Sequence, residues 1–153
     1  MSAAILKSEP IVKALHGAFC GDAPREQLLS MAAAKIHAAG PPYTGVYMYM
    51  LHGDELVLEA HEGRPTDLTN IPVGQGMCGK AVAERRDLNI PDVSEADGYL
   101  ACSIETRSEL VVLIRRHDEI LGQIDIDSDL TDPFTEAEEA AVREVADALA
   151  ALL

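Results

Sequence analysis

Two cysteines and three carboxylates between positions 71 and 127 are the residues of this chain whose types could do chemistry. They are Cys78, Cys102, Glu109, Asp125 and Asp127. A thiol can act as a nucleophile in redox chemistry, and a carboxylic acid can supply a proton. We therefore predict that these residues meet in one pocket where a thiol does redox chemistry. Metal binding would be another use of such residues, but no C-x-x-C or close histidine spacing supports it, so no metal site is predicted.

The cysteines differ in their local setting. Cys78 follows a glycine-rich stretch and lies near the start of a short predicted helix at 77–85, where a thiol is expected to have a depressed pKa. Cys102 lies within 91–106, a connection long enough to be a binding loop. Cys20 ends a predicted helix beside Gly21 and is interpreted as structural or idle. For Cys78 or Cys102 taken alone, buried filler is the simpler interpretation.

Asp125 and Asp127 are two residues apart on a predicted strand, so they share a face with their Cα atoms about 7 Å apart. Aspartate is depleted in strands, and the pair is either on a solvent-exposed face or in a polar pocket. In a pocket, burial and like-charge repulsion would raise at least one pKa, and the pair could hold an ammonium group or supply a proton. Glu109 begins the neighbouring strand, where Arg107 could be its partner.

The elements that must position these residues follow from apolar periodicity. Apolar spacing predicts one helix in residues 5–19, starting near Pro10, and a second helix over residues 24–39. A capping box at 135–138 begins a last helix. Strands 44–51 and 55–61 form one hairpin, strands 108–116 and 119–127 form another, and 88–90 is a short strand. This order predicts a single α+β domain over 1–153, with a central antiparallel sheet and the N- and C-terminal helices on one face.

Composition excludes several classes of function. The net charge is −14 with only 12 Lys and Arg residues, which argues against nucleic acid and anionic membranes as partners. No apolar run reaches bilayer length, and the N-terminus lacks the pattern of a secretion signal. Three cysteines, an odd number, argue against a disulfide framework and favour a cytoplasmic location.

Five segments together resemble the GAF-domain free methionine-(R)-sulfoxide reductases. The glycine-rich turn and the Asp-Val dipeptide by themselves indicate only the GAF fold. The combination of both cysteines with Ser108-Glu109 and Asp125-x-Asp127 is much more specific. The resemblance implies a small-molecule pocket on the sheet face opposite the helices. The segments are IPVGQGMCG at 71–79, IPDV at 90–93, YLAC at 99–102, SELVV at 108–112 and LGQIDIDS at 121–128.

The resemblance also implies a role for each residue. Cys102 would be the nucleophile and Cys78 the resolving thiol, while the carboxylates would hold the substrate's amino group and sulfoxide, with Glu109 also catalytic. Cys102 would become a sulfenic acid and then a disulfide with Cys78, which an external reductant such as thioredoxin reduces, so no bound cofactor is expected. An aromatic wall would come from Tyr43, where a tryptophan is usual in the family, and from Tyr47.

The chain departs from the family pattern at two positions. Many members carry a third cysteine four residues before Pro72, where this chain has Leu68, and Ser103 stands where aspartate is common. A non-catalytic GAF module that binds a small molecule for sensing or regulation is therefore the alternative function. A purely structural dimer subunit is a third possibility. A homodimer through the terminal helices is expected from the family and from the alanine runs at 32–34 and 140–141.

Overall fold

The structure, a computed structural model, describes residues 4–96 and 105–153. Within these residues, two helices are followed by three strands, a third helix, three more strands and a last helix, which is the segregated order of an α+β domain. A short 3₁₀ helix, Val93–Glu95, follows the fourth strand. The helices are α1 Ser8–Cys20, α2 Arg25–His37, α3 Gly76–Glu84 and α4 Glu136–Leu152, and the strands are β1 Gly45–His52, β2 Glu55–Gly63, β3 Asn70–Pro72, β4 Leu88–Ile90, β5 Ser108–Arg116 and β6 Glu119–Ser128.

The six strands form one antiparallel sheet in the order β3-β2-β1-β6-β5-β4. Strands β1 and β6 lie at its centre and join the two hairpins, which confirms the predicted sheet. Strand β3 was not predicted, because three residues are too few to show an alternating pattern. It pairs with β2, with Ile71 opposite Leu56.

The two faces of the sheet have different cores. Val46, Met48 and Met50 of β1 pack in the cluster that includes α1, α2 and α4. Tyr47 and Tyr49 belong to a second cluster with α3 on the opposite face. The alternation of β1 predicts this division, because successive side chains of a strand point to opposite faces. Terminal helices on one face, as predicted, leave the other face to the short helix that carries Cys78.

The N-terminus of α4 differs from the predicted capping box. The Thr135 hydroxyl accepts a hydrogen bond from the Glu138 N–H at 3.3 Å, as expected. The Glu138 carboxylate, however, is buried and accepts from the N–H groups of Ile5 and Leu6 at 2.6 and 3.1 Å. It also accepts from the Tyr43 hydroxyl at 2.5 Å. Glu138 therefore ties the segment before α1 to α4 instead of completing the cap.

The alanine runs expected to support a dimer are partly used within the chain. Ala32 and Ala33 are completely buried in the core beneath the helices, whereas Ala34 and Ala140 are exposed. The 32–34 run is therefore mainly an intramolecular contact, and dimerisation stays a prediction. Among the described helices, none is long and apolar enough to cross a lipid bilayer.

Candidate functional site

Strands β5 and β6 place three acids on the face opposite α1, α2 and α4. Glu109 lies directly across from Asp127, and Asp125 lies across from Val111 of β5 and Tyr47 of β1. The exposed fractions are 3% for Glu109 and 1% for each aspartate. The solvent-exposed alternative for the aspartate pair is thereby excluded, and all three acids face the interior.

Helix α3 places Cys78 above these strands. The Gln123 side-chain amide of β6 donates a hydrogen bond to the Cys78 carbonyl at 3.0 Å. The turn before the helix lies so close to Gly79 that a Cβ there would be 2.6 Å from the Pro72 carbonyl oxygen and 2.9 Å from the Gly74 nitrogen. Only glycine fits this approach, and it seats the first turn of α3 tightly against the chain that enters it.

The Cys78 thiol meets two of the acids directly. Its sulfur, one oxygen of Glu109 and one oxygen of Asp125 all lie within 4.8 Å of one another. The thiol donates to Oε2 of Glu109 with a sulfur to oxygen distance of 3.7 Å. The grouping of Cys78 with the strand carboxylates, proposed from residue types alone, is therefore present in the fold.

Glu109 and Asp125 lack a compensating cation in the part of the chain that the structure describes. No ion pair there reaches Glu109 or Asp125, and neither Asp125 oxygen has a hydrogen-bond donor. Burial, followed by repulsion from the Asp125 carboxylate, raises the pKa of Glu109 well above its usual range. Burial also raises the pKa of Asp125. Two ionised carboxylates this close would repel each other, so the folded state favours a proton on Glu109.

The pKa of the Cys78 thiol is opposite to the sequence-based expectation. Burial raises it well above its ordinary value, and the carboxylates of Asp125 and Glu109 raise it further. The favourable field of the α3 N-terminus does not overcome the cost of placing a thiolate in a buried, acidic environment. Cys78 is therefore a protonated thiol at rest, and it needs a base before it can react.

A small cavity of about 10 Å³ borders this group, which is room for about one water molecule. Its lining includes Leu68, where the sequence departs from the three-cysteine pattern described above. The lining residues are Leu68, Ile71, Gln75, Gly76, Met77, Cys78, Glu109 and Asp125.

Two tyrosines of β1 hold the segment that carries Leu68. The Tyr47 hydroxyl donates to the Arg64 carbonyl at 2.6 Å, and the Tyr49 hydroxyl donates to the Leu68 carbonyl at 2.5 Å. The Arg64 guanidinium in turn makes a two-pronged contact with Asp129 at 2.6 and 2.7 Å. Sequence reasoning did not select Tyr49 or Arg64. Tyr49 shares a strand face with Tyr47, and that alternation was the signal that could have selected it. No sequence pattern marks Arg64.

One predicted site residue, Tyr43, is not brought to this cluster, and another cannot be placed. Tyr43 lies in the core on the helical side, where its ring packs against Phe134 at a centroid distance of 5.8 Å. Its hydroxyl is used by Glu138, so it does not form a wall with Tyr47. Cys102, the predicted nucleophile, lies outside the described residues. Cys20 is exposed and free.

Comparison with known proteins gives a consistent result. A model of the GAF domain family matches residues 24–153. The free methionine-R-sulfoxide reductase of Escherichia coli is 38% identical over 97 residues, which are 63% of this chain and 58% of that protein. The chain thus spans less than two thirds of the length of this relative.

Solved structures of similar proteins cover more of the chain. A type II free methionine-R-sulfoxide reductase from Thermoplasma acidophilum superposes with a TM-score of 0.81 at 37% identity, covering 84% of this chain and 91% of that one. The free methionine-R-sulfoxide reductase from Neisseria meningitidis, solved in complex with its substrate, superposes with a TM-score of 0.87 at 27% identity, covering 99% of this chain and 91% of that one. The chain belongs to the GAF domain family, and the resemblance to its free methionine-(R)-sulfoxide reductases is confirmed.

Proposed function

We propose that this protein reduces free methionine-(R)-sulfoxide to methionine, with Cys102 as nucleophile and Cys78 as resolving thiol. The observation that carries the proposal is a buried thiol beside two buried acids that have no cation of their own among the described residues. Such a site favours a ligand that brings a positive charge and consumes a proton. The ammonium group and the sulfoxide of the free amino acid supply both properties.

In the proposed first step, the Cys102 thiolate attacks the sulfoxide sulfur. The attack forms a transient S–S bond, and a proton passes to the sulfoxide oxygen. The oxygen then moves from the methionine sulfur to the Cys102 sulfur as the S–S bond breaks with its electron pair on methionine, so Cys102 becomes a sulfenic acid and methionine is released. Glu109 is the proposed acid, because burial raises its pKa and so favours its protonated form. Asp125 and Asp127 would bind the ammonium group, because a positive charge beside buried acids offsets the cost of their burial.

In the proposed second step, Cys78 attacks the Cys102 sulfenic acid, and a disulfide and water form. The raised pKa of Cys78 means that the thiol must lose its proton to a base as it attacks. Glu109, which has given up its proton in the first step, already accepts a hydrogen bond from this thiol at 3.7 Å. One carboxyl group would thus serve as acid and then as base, before an external dithiol such as thioredoxin reduces the disulfide.

The proposal includes the surroundings of the reaction. The ligand would be enclosed in a pocket on this sheet face, so that the free amino acid is accepted and a peptide is not. The protein would act in the cytoplasm, where thioredoxin-type reductants are available, and would form a homodimer. Support for the substrate comes from the relatives described as free methionine-R-sulfoxide reductases, one of them solved with its substrate.

An assay coupled to NADPH through thioredoxin and its reductase tests the proposal. Turnover is expected with the R epimer of free methionine sulfoxide, and not with the S epimer or with the sulfoxide inside a peptide. Cys102→Ser should abolish it, whereas Cys20→Ser, at an exposed cysteine far in sequence from the site, should keep it. Turnover that persists in Cys102→Ser would disprove the assigned nucleophile.

A second candidate is a binding module without chemistry. Leu68 favours it, because this side chain lines the cavity next to Cys78 where related enzymes often carry another thiol. Mass spectrometry after mild peroxide treatment separates the two functions. A Cys78–Cys102 disulfide favours the enzyme, and two unreacted thiols favour the binding module.

A further inference from the structure

We infer that Cys78, Glu109 and Asp125 form a binding site for one thiophilic divalent cation, with Zn²⁺ as the natural candidate. The ion would be a competitor for the pocket and not a cofactor of the reaction. The inference concerns binding of the metal itself, so it does not depend on the proposed reductase activity.

The positions of the ligand atoms fit a tetrahedral ion. Zinc bonds of about 2.3 Å to sulfur and about 2.1 Å to oxygen, at a tetrahedral angle, place the two ligand atoms about 3.6 Å apart. The Cys78 sulfur and Oε2 of Glu109 are 3.7 Å apart. An oxygen of Asp125 lies within 4.8 Å of both atoms, so a shift of about an ångström brings it into the same coordination shell.

Asp125 gives an independent reason to expect a ligand. Its side chain is 1% exposed, and neither carboxylate oxygen has a hydrogen-bond donor in the described part of the chain. A buried carboxylate without partners is costly, and a bound cation would remove that cost. The cavity that borders all three residues has about 10 Å³ of space, which suits a single ion or water.

The ligand set selects the class of metal. One thiolate with two carboxylates suits zinc, whereas Ca²⁺ takes six to eight oxygen ligands and Mg²⁺ is held by oxygen in a near-octahedral shell. Three protein ligands leave a fourth position for water, as in zinc sites that are open on one side. Binding would hold Cys78 as a metal thiolate and occupy the acids, so the metal and an ammonium ligand could not be present together.

Cobalt(II) provides the test, because a Co²⁺–thiolate bond produces a charge-transfer absorption in the near ultraviolet. The reduced full chain is titrated with Co²⁺, and Zn²⁺ is then added to displace it. One equivalent of Co²⁺ should give the thiolate band, and one equivalent of Zn²⁺ should remove it. Cys78→Ser should eliminate the band, while Cys20→Ser and Cys102→Ser should retain it.

Two variants that keep the shape of the acidic side chains separate a loss of metal binding from a folding defect. Glu109→Gln and Asp125→Asn should each weaken the affinity for Zn²⁺ about 100-fold, at the upper end of the losses seen when groups around a metal are removed. Asp129→Asn, at an acid paired with Arg64 outside the cluster, should leave the affinity unchanged. No thiolate band in the unaltered protein, a band that survives Cys78→Ser, or full affinity in both isosteric variants would overturn the inference.

Discussion

The Cys78 thiol donates a hydrogen bond to Oε2 of Glu109 across 3.7 Å, and both groups are buried. This pairing joins a thiol on a short helix to an acid on the sheet, from positions 31 residues apart in the chain. A protonated thiol and a proton-retaining acid are the resting state that burial imposes on both. The pair therefore has consequences for stability as well as for chemistry.

Stability should fall as the pH rises above the range in which unfolded glutamate titrates. The pKa of Glu109 is raised by burial from its usual value of 4.5, so the folded state retains a proton that the unfolded state releases. Stability from this group is complete below pH 4.5 and is lost as the pH rises toward the folded pKa. Urea unfolding at pH 5 and pH 8 should show a smaller loss for Glu109→Gln than for the wild type. Glu62→Gln, at an exposed position, should behave like the wild type, and equal losses in all three proteins would contradict the prediction.

Asp125→Asn should impair use of the free amino acid. Removing one carboxylate from a buried site for an ammonium group should lower kcat/KM about 100-fold, which corresponds to about 2.7 kcal/mol. Most of the effect should be in KM if Asp125 binds the amino group in both ground and transition states. The NADPH-coupled assay measures it, with Asp118→Asn in an exposed turn as the control. An unchanged KM would remove Asp125 from the binding role.

Leu68→Cys should supply an additional resolving thiol. Leu68 and Cys78 line the same cavity, so a thiol at 68 would lie near the same reaction space. In a Cys78→Ser background, Leu68→Cys is expected to raise thioredoxin-dependent turnover by about tenfold or more. A tenfold change in rate corresponds to only about 1.4 kcal/mol of activation free energy. Leu58→Cys, at a half-buried residue that does not line this cavity, should not restore it. Equal turnover of the two double variants would rule out a special position for residue 68.

Glu138→Gln should destabilise the protein. The carboxylate accepts from the N–H groups of Ile5 and Leu6 and from the Tyr43 hydroxyl, and a neutral amide cannot accept with both of its polar atoms. We expect a loss of about 2–3 kcal/mol in the free energy of unfolding, and about 1 kcal/mol for Tyr43→Phe. Because they share one hydrogen bond, the double variant should lose less than the sum of the two. Glu136→Gln, exposed in the same turn, should cost less than about 1 kcal/mol, and a larger loss there than at 138 would refute the assigned role.

Gly79→Ala should disturb the helix that carries Cys78. The added methyl group would be 2.6 Å from the Pro72 carbonyl oxygen, so the turn before α3 must shift. A loss of about 1–3 kcal/mol is expected from such overpacking. Gly17→Ala in α1 is the matched control, because nothing lies within 4 Å of its added carbon and alanine favours a helix by about 1 kcal/mol. Thermal or urea unfolding should therefore show opposite signs for the two variants.

Much of the fold followed from the sequence because it depends on local periodicity. The alternation in β1 predicted that Met48 and Tyr47 lie on opposite faces, and the spacing of Asp125 and Asp127 predicted their common face. Strand β3 was missed because three residues carry no period, and its pairing with β2 depends on contact between strands. Glu138 was taken for a cap because its spacing from Thr135 fits one, while the buried N–H groups of residues 5 and 6 can be seen only in the folded chain.

For the candidate site, the sequence by itself determined which groups are present and on which face of each strand they lie. The tertiary structure decided which of these groups are neighbours. It brought Cys78 to Glu109 and Asp125, and it placed Tyr43 against Phe134 on the other side of the sheet. It also reversed the expected pKa of Cys78, because burial and neighbouring charge are properties of the assembled interior. The metal site proposed above could not be found from sequence spacing, because its candidate ligands come from a helix and two strands that meet only when the sheet and α3 pack together.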